Sequence, residues 1–241
     1  MGTERWQITE TQDIIGLILV YSIIAASLGT MLLAERRGWN VDGRKIIHAG
    51  VGFFVFVWWI FTANWIMLVF FTVPFLIIVF LAMFDGNPVS RSRLGSVSNE
   101  MGHRIGLFIY VLSINILVAF FFSGHWTAAT IGAAAMTFGD SAGSIIGRRF
   151  GKHRIVNGKS LEGSLAVFAM TALMSFVILT LYSFLSGAGL YAGDVSAIAP
   201  SWIVSAVAGL IAMFSEMLCP GQFDNLSNSM TVAIGMCLLG L

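Results

Sequence analysis

The chain has 241 residues, of which 57% are hydrophobic and 10% charged, with a mean hydropathy of +0.87. That composition excludes a soluble core wrapped in charge and makes lipid the main solvent. A formal net charge of +1 is too near neutral for a nucleic-acid partner, so any useful basicity must be local.

The first apolar run, Ile14 to Ala34, follows Glu4, Arg5, Glu10 and Asp13, an acidic flank unlike the basic start of a secretion signal; it reads as a retained span. About 20 residues cross roughly 30 Å of hydrocarbon as helix. By that measure, spans are expected near 14–34, 46–61, 65–84, 105–122, 126–147, 163–186, 197–218 and 226–241. The last is short, so seven spans and a surface segment is the alternative to eight. Breaks carry turn chemistry: Gly38 and Gly43, then Asp85-Gly86-Asn87-Pro88, then Gly187 to Pro200. The expected fold is an all-α polytopic transmembrane bundle, a single domain over 1–241 without internal repeat. Cys219 and Cys237 lack metal-ligand spacing and indicate neither a disulfide framework nor zinc.

Arg36, Arg37, Arg44 and Lys45 share one loop, Arg91, Arg93 and Arg104 another, and Arg148, Arg149, Lys152, Arg154 and Lys159 a third. These are twelve of the 13 Lys and Arg residues. If every span crosses once, the three loops lie on one side, cytoplasmic by the positive-inside rule, and the amino terminus is outside. In a prokaryote the membrane would be the cell membrane.

Carboxylates at a membrane are costly unless paired or metal-bound, yet Glu100, Asp140, Glu162, Glu216 and Asp224 all fall at or just inside expected cytoplasmic ends. Five such acids suit one or two Mg²⁺ ions, which take hard oxygen ligands and keep water for a phosphate partner; the alternative is pairing of each acid with a nearby cation. Gly143, Gly147 and Gly151 recur every fourth residue after Asp140, a smooth helix face for close packing. Beyond Gly143 and Gly147, five cations precede Glu162, next to Ser160, Gly163 and Ser164. Backbone N–H groups at the following helix start, with Lys159 as a point charge, suit a polyphosphate. The P-loop order is absent, since His153 stands five before Gly158. Arg44 and Lys45 open the second span, and His48 shares a helix face with Lys45, placed either to orient a phosphate or simply to pack. His103, His125 and His153 have no ligand spacing and are assigned no role.

Arg44-Lys45-x-x-His48, Glu100-x-Gly102, the Asp140 to Gly151 segment, Lys159-Ser160-x-Glu162-Gly163-Ser164, Glu216 and Asp224-Asn225-Leu226 occur in this order over most of the chain. In them the sequence resembles the CTP-dependent lipid-alcohol kinases that act on dolichol, polyprenol, phytol, farnesol or diacylglycerol. The Asp140 and Lys159 blocks are shared with CDP-diacylglycerol synthases, whose Pro-Gly-His-Gly-Gly run is absent. The sequence departs from the kinases at Phe223, where a further acid is usual, and at Met230-Thr231, where proline is common.

The resemblance implies transfer of a phosphoryl group from CTP, with Mg²⁺, to an isoprenoid alcohol lying in the bilayer. Asp140, Lys159, Glu162 and His48 are then the expected catalytic residues. Arg44, Lys45, Arg148, Arg149, Gly151, Lys159, Ser160 and Gly163 would meet nucleotide phosphates. Asp140, Glu162, Glu100, Glu216, Asp224 and Asn225 are the candidate metal ligands. Rivals are a cytidylyltransferase making a CDP-lipid, a CTP-dependent diacylglycerol kinase and a membrane transporter. Acids gathered at one face beside basic loops favour an enzyme over a transporter.

Overall fold

The structure is a computed structural model that describes residues 4–39, 43–92, 95, 104–122, 124–219 and 221–241. Side chains of residues 4–10, Arg44, Lys45, Arg104 and Gln222 fall outside that description, as does the whole of Glu100. Among the described residues the fold is all-α, with no strand beyond one isolated bridge, Arg154 to Ser160. Four segments, Thr11–Arg36, Asn64–Ala82, Leu161–Gly187 and Ser201–Leu218, are long and apolar enough to cross a membrane. The chain divides into two units, Met1–Arg104 and Ile105–Leu241.

In the first unit, helix α1 (Glu4–Arg36) is met by α2 (Gly43–Val51), with Met31 and Ile47 buried among Leu28, Ile46 and Val51. His48 is also buried there. The expected second span is not one α-helix: after α2 the chain tightens into 3-10 turns at Gly52–Phe56 and Trp58–Ile60. Its bulky aromatics explain part of this, since Phe54 and Trp58 pack edge to face at 4.9 Å with both rings buried. Asp13 closes the turn that follows by accepting from the Thr62 N–H (2.8 Å) and hydroxyl (2.6 Å).

The third segment runs through α3 (Asn64–Met67), a π turn at Leu68–Thr72 and α4 (Val73–Ala82). Pro74 supplies no N–H to the turn before it, and in lipid a carbonyl left short of a backbone donor needs another. Tyr21 provides it, donating its hydroxyl to Phe70 O at 2.5 Å. Asn87 ends the segment by donating to the carbonyls of Leu81 (2.8 Å) and Phe84 (2.7 Å).

The second unit comprises α5 (Arg104–Phe121), α6 (Trp126–Ala134), a π turn (Ala135–Gly139), α7 (Asp140–Phe150), α8 (Leu161–Gly187), α9 (Ser201–Leu218) and α10 (Asp224–Leu238). Every residue of α6 and of the π turn is buried. Small side chains allow this: a Cβ on Gly132 would lie 2.5 Å from Ser229 O and 3.0 Å from Ala233 Cβ of α10. Substituting small residues for bulk lets neighbouring backbones approach, the usual basis of helix association in lipid. At the Gly187 end of α8, Thr127 donates to Asp194 O (2.6 Å) and lies 2.9 Å from the Tyr191 hydroxyl, fastening the 188–200 connection.

Candidate functional site

The π turn sets the site's first residue. Asp140 begins α7 immediately after it and is 9% exposed. A π turn shifts the register of everything beyond it, so the side chain at its end is re-aimed relative to a continuous helix. Asn228 of α10 reaches this turn with a weak bond to Ala135 O at 3.5 Å. From α7 the chain packs directly on α8: a Cβ on Gly163 would lie 3.0 Å from Gly143 O and 3.1 Å from Gly147 Cα. Gly143 and Gly147 therefore serve the close packing expected of them. Gly151 is also required, since its Cβ would meet Ser160 Oγ at 2.6 Å.

The basic loop between α7 and α8 turns back on itself as a tight hairpin around the single bridge from Arg154 to Ser160. Lys159 N–H donates to Val156 O (3.2 Å), Ile155 N–H to Lys159 O (2.9 Å) and Leu161 N–H to His153 O (2.9 Å). Asn157 (φ 56°, ψ 26°) and Gly158 (φ 73°) form its tip, the left-handed pair that an Asn-Gly type I′ turn demands. Ser160 then caps α8, accepting from Gly163 N–H at 3.2 Å. Arg148 and Arg149 close α7 on its exposed side, where the helix dipole favours cations.

Lys159 is the centre of the cluster. Its ammonium lies 3.0 Å from Glu216 Oε1 and 3.3 Å from Asp224 Oδ2, bringing the hairpin, the end of α9 and the start of α10 together. Asp140 is near enough to interact electrostatically with both Lys159 and Glu216. Burial works to lower the Lys159 pKa, but the carboxylates of Glu216 and Asp224, aided by Asp140, outweigh it, and the net displacement is upward. Lys159 is thus held in its charged form among three acids.

Glu162 belongs to a separate group. It accepts from the Lys152 N–H (3.1 Å) and the His153 N–H (3.3 Å) and lies 2.7 Å from His153 Nδ1. It braces the base of the basic hairpin. His48 lies in the first unit, and Glu100 with the Arg44 and Lys45 side chains lies outside the described residues.

Among the described residues no three Asp, Glu, His or Cys side chains stand grouped as a metal-ligand set; the Lys159 ammonium is the cation that Glu216 and Asp224 hold. The donors nonetheless suit Mg²⁺ in kind. Glu216 Oε2 and Asn225 Oδ1 are buried without a hydrogen-bond partner, and both are the hard oxygens this ion takes. Asn225 is fixed with that oxygen free because its amide donates to Gly106 O at 3.4 Å.

A phytol kinase of Synechocystis sp. is 32% identical to the chain over 204 residues, covering 81% of this chain and 76% of that protein. The chain belongs to the polyprenol and phytol kinase family. No family model matches it, and no solved structure does. As a member of that family it is a membrane kinase. Three further residues of the kinase shape the site. Nothing in the spacing of His153 marks it as the partner of Glu162. Asn157 carries a signal of its own, the Asn-Gly dipeptide. Asn228 looked like an ordinary polar residue of the last span.

Proposed function

We propose that this kinase transfers the γ-phosphoryl group of CTP to the hydroxyl of an isoprenoid alcohol of the phytol or polyprenol type, held in the bilayer at the cytoplasmic face. The observation that carries the reading is Lys159, charged and held among Asp140, Glu216 and Asp224 at the tip side of a basic hairpin, in a relative of a phytol kinase. The alcohol oxygen attacks the γ-phosphorus, the bond to the β-phosphate oxygen breaks, CDP leaves, and the hydroxyl proton passes to a base. Such a transfer asks the protein to align two oxygens and to neutralise spreading negative charge.

Lys159 meets the phosphates, with Arg148 and Arg149 as further cations and the N–H groups after Ser160 as donors. Glu216, Asp224, Asn225 and Asp140 would hold Mg²⁺, which when bound supplies positive charge to the β- and γ-phosphates. Asp140 serves either as ligand or as the base. Glu162 keeps the hairpin in shape. The rule that basic loops remain cytoplasmic supports the sidedness.

The test is incubation of purified, detergent-solubilised protein with γ-labelled CTP, Mg²⁺ and a panel of isoprenoid alcohols and diacylglycerol. Label entering an isoprenoid phosphate supports the reading; label only in phosphatidic acid redirects it to a diacylglycerol kinase. Pyrophosphate release with a lipid phosphate as acceptor would replace it with a cytidylyltransferase.

A further inference from the structure

We propose that Asn157 is a positioning residue for phosphoryl transfer, clamping the basic hairpin to the end of α9 so that Lys159 is presented beside Glu216. The inference rests on the reading of Lys159 as a phosphate-holding cation. An Asn-Gly tip explains by itself why asparagine occupies a left-handed position, since asparagine and glycine enter it most readily. It does not explain the direction of the side chain. The Asn157 amide donates to Met217 O at 3.0 Å and to Leu218 O at 3.3 Å. These are the last carbonyls of α9, which have no N–H of the following turn to satisfy them.

The clamp joins the same two segments as the Lys159–Glu216 pair. Glu216 immediately precedes the two carbonyls, and Lys159 follows Asn157 by two residues, so the amide fixes both partners of the 3.0 Å ion pair at once. Arg154 adds to the rigidity of the tip, donating to Gly158 O at 2.9 Å, while Glu162 holds the hairpin's base. The hairpin is therefore pinned at both ends. A phosphate arriving at Lys159 meets an ammonium that has already lost most of its conformational freedom, which is where such positioning helps transfer.

Asn157→Gly separates the two roles. Glycine is at least as good in a type I′ turn, so a residue that only forms the turn tolerates the change, whereas a clamp is lost. Asn157→Asp keeps the shape but turns an acceptor toward the carbonyls and should act in the same direction. With the full chain in detergent, both variants should raise tryptic cleavage after Arg154 and Lys159 about tenfold, the scale of two modest hydrogen bonds. Both should also lower kcat/KM for the nucleotide about tenfold and leave KM for the lipid alcohol unmoved. Combined with Lys159→Met, Asn157→Gly should add no further loss of activity. Wild-type cleavage and turnover in Asn157→Gly would make the residue a turn former and overturn the proposal, as would losses that add to those of Lys159→Met. If Lys159→Met alone turns over normally, the phosphate role of Lys159 fails, and the cleavage rate alone then decides whether the clamp exists.

Discussion

Replacing Lys159 by methionine keeps most of the side chain's length and removes its charge together with the N–H groups that donate to Glu216 and Asp224. In the folded protein the Lys159, Glu216 and Asp224 side chains are 24%, 7% and 17% exposed, so the pairs are largely shielded from water. Breaking a fully buried ion pair by removing one partner costs about 3–5 kcal/mol, mostly because a charge is stranded. Partial wetting of the lysine reduces this to roughly 2–3 kcal/mol for Lys159→Met. Adding Glu216→Gln removes one stranded charge and should return about half of the loss. Activity should behave differently, falling on the order of 100- to 1,000-fold in both variants, because neither has the cation that meets the phosphates. Apparent Tm and turnover measured on the same detergent samples separate the two effects. Wild-type Tm in Lys159→Met, or a double variant less stable than the single one, would refute the claim that charge balance holds this cluster together.

Gly163→Ala places a methyl group 3.0 Å from Gly143 O, backbone that cannot swing aside; overpacking of this kind costs about 1–3 kcal/mol, and Tm and turnover should fall together. Tyr21→Phe leaves Phe70 O without its donor beside Pro74 and should lower thermal stability by about 1 kcal/mol, within the range of polar contacts in membrane helices. Asp140→Asn should abolish phosphoryl transfer while the purified protein elutes as the folded species; near-normal turnover would reject both the ligand and the base role. The folded pKa of Lys159 lies above its ordinary 10.5, so its stabilisation is complete below that value and is lost as the pH rises through the folded pKa. A Tm series above about pH 10 should show this loss in the wild type and a flatter curve in Lys159→Arg, which stays cationic.

Much of the fold was legible because hydrocarbon imposes one requirement on every span. The expected 163–186, 197–218 and 105–122 segments became Leu161–Gly187, Ser201–Leu218 and Arg104–Phe121, since apolar runs end where lipid ends. The π turns at Leu68–Thr72 and Ala135–Gly139 were not legible; one extra residue in a helical turn leaves no mark on composition. Nor were the 3-10 turns after α2, which depend on how Phe54 and Trp58 pack. At the site, the sequence singled out Asp140, Glu162, Glu216 and Asp224 by the cost of placing carboxylates near lipid, and Lys159 as a point charge beside a helix start. It could not pair them, because Lys159 meets Glu216 and Asp224 across 57 and 65 residues of chain. Glu162 illustrates the limit. Its charge is costly near lipid, but its partners are two backbone amides and a histidine that no spacing rule selects.

The glycine contacts between α7 and α8 have a consequence for the enzyme in bilayers of unequal thickness. Helices accommodate a thicker or thinner hydrocarbon layer by tilting, at a modest cost per ångström. Where two backbones already touch, as at Gly143, Gly147 and Gly163, neither helix can tilt without carrying the other. Asp140 at the head of one and Ser160 at the cap of the other then travel as a single body. Reconstitution into short- and long-chain lipids should therefore alter how easily the alcohol reaches the site while leaving the spacing of the reacting groups unchanged.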